Sequence, residues 1–114
     1  MKRMEDERLL RGAGTFIADL AMPGMLHMAV VRSTEAHARI VGIDVSAATA
    51  RPGVVTVVTG ADLAGSVPTL EVMRRPGSNS IPGAEHPILA TRKAMYIGQP
   101  LAFVVADSAA VAED

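Results

Sequence analysis

An α+β domain is what this sequence predicts, and three observations lead there. Val54 to Thr59 is an almost unbroken β-branched run, and Leu101 to Ala106 is a second apolar run of strand length. The helical patterns, by contrast, are only one or two turns long, at Asp6–Arg11, Ala47–Ala50, Gly60–Leu63 and from Ala109 onward. Between these elements lies a stretch from about residue 64 to 87 rich in Pro and Gly, with Pro76-Gly77-Ser78-Asn79-Ser80 strongly loop-forming.

In chain order, a charged entry segment spans residues 1–14. It offers one helical turn before Gly12 and Gly14 open the backbone. Thr15-Phe16-Ile17 reads as a brief strand, and Pro23-Gly24 suits a type II turn because Pro fixes φ and Gly accepts φ > 0. Leu26–Arg32 and Ala38–Val45 read as strands, the second alternating Arg39, Val41, Ile43 and Val45 against Ile40, Gly42 and Asp44. The polar link between them is of hairpin length, so these two strands are expected to pair. Ser46 is the expected N-cap of the short helix that Arg51-Pro52-Gly53 ends. Val54–Val58 and Leu101–Val105 are the expected central strands, buried on both faces. Thr59 is the expected cap of the helix at Gly60, Gly98-Gln99-Pro100 the turn into the last strand, and Ser108 the cap of a final helix, 108–114.

One domain over residues 1–114 is the expectation for this length. With one Tyr, two Phe and no Trp, the core has to be filled by Val, Ile, Leu, Ala and the seven Met. A formal charge of −1 gives no field to draw nucleic acid or an anionic membrane. The chain has no Cys, which excludes disulfides, zinc–thiolate sites and iron–sulfur clusters held by this chain. Its longest apolar runs fall far short of the ~20 residues of a spanning helix, so the cytoplasm is the expected location.

No catalytic, cofactor-binding or metal-binding residue is assigned. His27, His37 and His86 lack the close pairing of a metal site, and structural or surface roles are expected for them. Gly12-Ala13-Gly14 lacks the third glycine and the strand–turn–helix context of a dinucleotide fingerprint. Ser33, Ser46 and Ser108 sit where turns and caps explain them, and Glu71 and Glu85 lie in the long loop with no deducible partner.

Taken in order, several segments carry a resemblance. They are Glu5-Asp6, Leu9-Leu10-Arg11-Gly12, Pro23-Gly24-Met25-Leu26-His27, Val31-Arg32-Ser33, Ala36-His37-Ala38-Arg39-Ile40 and Ile43-Asp44. Pro52-Gly53-Val54, Thr59-Gly60-Ala61-Asp62-Leu63, His86-Pro87-Ile88-Leu89-Ala90 and Tyr96-Ile97-Gly98-Gln99-Pro100 continue the series. Together they resemble the amino-terminal α/β-hammerhead domain of the molybdopterin-binding large subunit in the xanthine dehydrogenase, aldehyde oxidase and carbon monoxide dehydrogenase family.

The resemblance implies a mixed, bent sheet with short helices. It also implies a parent enzyme that oxidises aldehydes, N-heterocycles or carbon monoxide with molybdopterin, iron–sulfur and FAD groups held elsewhere. This chain would then be a non-catalytic structural domain packed against the molybdopterin-binding domain or subunit, with iron–sulfur and FAD subunits as further partners. The alternative is a stand-alone module that self-associates, a homo-oligomer without a redox role. The final helix pattern stops at Asp114 where family members continue, which leaves a fragment, a truncated reading frame or a small split subunit as readings.

Overall fold

The computed structural model describes residues 3–71 and 85–114. Its first helix, α1, is Asp6–Leu10, with Asp6 and Glu7 in the first turn. Asp6 Oδ2 accepts the Arg3 N–H at 2.9 Å, and Glu7 pairs with Arg11 one turn on at 2.7 Å. Gly12 reverses the chain at φ 68°. The strand expected at Thr15–Ile17 does not form; Ile17–Asp19 is a 3₁₀ turn instead. The cause is local: Asp19 Oδ2 accepts the Phe16 N–H at 3.0 Å, removing a donor that a sheet would need. The Pro23-Gly24 turn is present, with Gly24 at φ 76° and Met25 N–H bonded to the Met22 carbonyl at 3.1 Å.

Strand β1 is His27–Arg32, β2 only Ala38–Arg39. Helix α2 is Ser46–Thr49, β3 is Val54–Thr59 and α3 is Gly60–Leu63. Two-residue strands follow at Leu70–Glu71 (β4), Glu85–His86 (β5) and Lys93–Ala94 (β6). The chain ends with β7, Pro100–Ala106, and α4, Ala109–Glu113. The β4–β5 pair places a short antiparallel ladder inside the stretch expected to be loop throughout, while Pro76–Ser80 lies outside the described residues. Among the described residues, no helix is long and apolar enough to cross a membrane.

The main sheet runs β1-β7-β3, both pairs antiparallel, with His27 opposite Ala106, Val30 opposite Phe103 and Val58 opposite Phe103. Register shifts at Val31/Arg32 and Val54/Thr56 bend it. Two strand expectations need correction. The β1–β2 hairpin is absent: β1 takes β7 as its partner, and β2 pairs with β6. A six-residue strand gains more by laddering along the whole of β7 than by closing on a two-residue neighbour. Of the strand expected at Ala38–Val45, the pairing continues only as far as Ile40, whose N–H donates to the Arg92 carbonyl at 2.9 Å, and beyond it Val41 is 96% exposed. Nor is β3 central, since it is an edge strand of this sheet, and Val55 is 57% exposed. Among the described residues, only β7 is flanked on both sides.

Two capping expectations hold and one changes. Ser108 Oγ accepts the Val111 N–H at 3.3 Å, and Thr59 stands at the N-cap of α3. Ser46, however, is the first helical residue, with Val45 at the N-cap, and the Asp44 carboxylate two positions earlier accepts the Ser46 N–H at 2.9 Å.

The buried apolar residues described are Leu89, Ala90, Ala94, Ala102, Ala106 and Ala112, so alanine, not methionine or the branched aliphatics, fills most of the interior. A three-stranded sheet with the short helix α4 against β1 and β7 encloses too little space for larger side chains. The molecule is accordingly flat and open, 52 × 50 × 26 Å with a radius of gyration of 19.2 Å, against about 13 Å for a compact chain of this length. Its accessible surface of 9426 Å² likewise exceeds the roughly 6,000 Å² of a self-contained monomer of this mass.

Candidate functional site

One end of the main sheet gathers most of the sequence motifs. Leaving β1, Arg32 Nη1 donates to the Gly98 carbonyl at 2.9 Å and Ser33 N–H to the Gln99 carbonyl at 2.9 Å. Gly98 N–H returns a bond to the Ser33 carbonyl at 2.8 Å. Ser33 Oγ donates to the Glu35 carbonyl at 2.9 Å and accepts the Glu35 N–H at 3.1 Å. Gln99 Oε1 accepts the Met95 N–H at 2.6 Å, closing the turn that Gly98 enters at φ 85°. Ser33 and Gln99 are the buried polar residues described, 6% and 5% exposed. Both meet the requirement that a buried polar group be paired. The Ser33 hydroxyl is committed to backbone on both sides, which fits a turn and not a nucleophile.

At the same end, the first residue of α3 meets the chain returning from β5. A Cβ on Gly60 would lie 2.5 Å from the Ala90 carbonyl oxygen, so backbone fills the place of a side chain. Leu89 and Ala90 are almost wholly buried, and Ala90 N–H donates to the Pro100 carbonyl at 2.8 Å. Thr59–Leu63, His86–Ala90 and the start of β7 thus interlock. Beside them opens a cavity of about 380 Å³ walled by Gly60, Leu63, Val67, Pro87, Ile88 and Arg92 among others. Among the described residues, Arg92 is the only ionisable one of its wall, and these residues bring no acid–base pair to it for proton transfer.

The other candidate residues are dispersed. His27 is half-buried opposite Ala106 in the main sheet, His37 is exposed before β2, and His86 sits in β5 opposite Leu70. Glu71 and Glu85 are paired in register across β4–β5. Among the described residues, no three His, Asp or Glu side chains come together as a metal site. Gly12-Ala13-Gly14 follows α1 and precedes a 3₁₀ turn, so no helix N-terminus faces it as in a phosphate cradle. Gln99 is the structural residue that pattern reading missed; its signal was a polar side chain between Gly98 and Pro100 at the mouth of a buried strand.

Two carboxylates are held below the usual range. The Ser46 hydroxyl and then its N–H act on Asp44, and the Thr59 hydroxyl and then its N–H act on Asp62, each stabilising the ionised form. The Thr59 bonds to Asp62 Oδ2 are both 2.7 Å. Both carboxylates accept backbone N–H groups at the starts of one-turn helices. Their low values report local hydrogen bonding, not a tuned catalytic acid.

The chain matches known proteins along nearly its whole length. It is 46% identical to the 6-hydroxypseudooxynicotine dehydrogenase complex subunit gamma of Paenarthrobacter nicotinovorans, over 98% of this chain and 14% of that one. To the carbon monoxide dehydrogenase large chain of Afipia carboxidovorans it is 42% identical, over 99% of this chain and 13% of that one. Among solved structures, quinoline 2-oxidoreductase from Pseudomonas putida superimposes with a TM-score of 0.88 at 46% identity, over all of this chain and 14% of that one. The chain therefore spans about one-seventh of the length of these relatives. Residues 11–114 match the family described as "Aldehyde oxidase and xanthine dehydrogenase, a/b hammerhead domain", and the chain belongs to that family.

Proposed function

We propose that residues 1–114 serve as a structural domain of a molybdenum hydroxylase, one that supports the oxidation of an aldehyde, an N-heterocycle or carbon monoxide without supplying a catalytic residue. The observation that carries this reading is the family match combined with the openness of the fold. The same domain is a small part of large chains in its relatives, and here it exposes far more surface than a self-sufficient monomer of its mass. The buried polar side chains described, Ser33 and Gln99, are committed to turns, which favours architecture over chemistry.

Molybdopterin, iron–sulfur clusters and FAD belong, in this proposal, to the rest of the assembly. The donor set of this chain does not fit a cluster, for it contains no thiol. No step of the reaction is therefore assigned to a residue here. The proposed partners are the molybdopterin-binding domain or subunit and, through it, the iron–sulfur and FAD subunits. A free-standing, self-associating module finds no support among the relatives, which are named as large chains or as a complex subunit.

Co-expression of the domain with the molybdopterin-binding portion, followed by sizing and metal analysis, tests the proposal. A complex containing one domain per molybdenum centre is expected. A stable monomeric domain that leaves the other portion unbound contradicts it.

A further inference from the structure

We infer that the amino-terminal arm, from Arg3 to Met22, is a docking segment whose apolar side chains seat on the larger remainder of the hydroxylase; the inference rests on the function proposed above. No residue from Arg3 to Gly24 is buried in this domain. Yet Leu10, Phe16, Ile17, Leu20 and Met22 are all at least half exposed, Ile17 at 89%. An apolar series of this kind on a monomer marks an interaction site.

Several of the arm's polar groups, meanwhile, are paired within it. Glu7 pairs with Arg11, Asp6 takes the Arg3 N–H, Ala13 N–H bonds to the Arg8 carbonyl at 2.9 Å, and Asp19 takes the Phe16 N–H. These bonds fix the turns and leave the apolar side chains facing outward. A five-residue helix and a three-residue 3₁₀ turn do not persist alone in water, so a covering surface is needed to hold this shape.

Charge selects the kind of occupant. From Arg3 to Met22 the arm carries three arginines against four carboxylates, too balanced to seek nucleic acid or an anionic membrane. The fitting surface is apolar and close to neutral. Length points to its source: quinoline 2-oxidoreductase contains this whole fold as 14% of one chain, so about six times as much polypeptide adjoins the domain there. The occupant is thus the remainder of the hydroxylase and not a second copy of this domain.

Trypsin reads the arm directly, because Arg8 and Arg11 are exposed in the domain. In the assembled hydroxylase, cleavage after these two residues is expected to be slow. Ile17→Asp should accelerate it about tenfold or more by raising the open population of the arm, while Ile17→Val stays like the parent. Rapid cleavage in the parent assembly, or no difference between the two variants, overturns the inference while leaving the proposed function standing. So does a domain dimer that Ile17→Asp dissolves, since the occupant would then be a second copy. Failure of the domain to assemble with the hydroxylase at all overturns the proposed function itself.

Discussion

The motif-rich end of the main sheet and the amino-terminal arm are built by opposite means. At the sheet end, segments distant in sequence lock together through backbone: Ala90 on Pro100, Ser33 on Gln99, and the Ala90 carbonyl pressed against the bare α-carbon of Gly60. In the arm every bond closes within a few residues, and no side chain is buried. The sheet end carries its own stability. The arm has local shape without a tertiary support, and its order depends on what lies against it.

That contrast breaks most sharply at Gly60. Gly60→Ala drives a methyl into the Ala90 carbonyl and should cost about 3 kcal/mol, where neither backbone can yield cheaply. Hydrogen exchange of the β7 amides in the assembled protein measures the loss, and unchanged protection would mean that the interlock is not the support described. Gly98→Val tests a milder case. No atom lies within 4 Å of the added Cβ, but φ is +85°, so backbone strain of roughly 1–2 kcal/mol is expected. Exchange as fast as in Gly60→Ala would show that the Gly98 turn carries more of the fold than its open surroundings indicate.

The smallest effect is a pH response. Asp62 titrates below its ordinary value when folded, so its contribution is fully present above that value and fades as pH falls through the lowered folded-state value. Acid should loosen α3 in the parent protein, and Asp62→Asn should flatten that response. Exchange of the α3 amides across acidic pH checks it, and an equal acid response in both proteins would remove Asp62 as the cause.

The same contrast governs what could be read from the sequence. Val54–Thr59 and Leu101–Ala106 announced themselves as strands because β-branched and apolar runs favour extended backbone, although β3 stands at the sheet edge with Val55 exposed. Caps at Thr59 and Ser108 were also legible, being local chemistry. Which strand pairs with which was not: β1 lies beside β7, about seventy residues away, and no local signal encodes that partner. Thr15–Ile17 was misread for the reverse reason, since a carboxylate three residues after Phe16 outcompeted strand propensity. The alternation at Ala38–Val45 matched a strand, but its outward residues meet no core in this domain. As for the site, the ordered motifs pointed to the family, while their physical meaning as two interlocks at one sheet end emerged only in three dimensions.

The claim that the domain is an incomplete unit covered by the rest of its enzyme is tested most directly by hydrogen exchange in the assembled protein, read at Asp19 and Leu20 against the β7 amides. The N–H groups of Asp19 and Leu20 hold the 3₁₀ turn through bonds of 3.0 and 3.2 Å. With a covering surface in place, both should be protected well beyond a free peptide. Exchange at free-peptide rates while β7 stays protected would contradict the account.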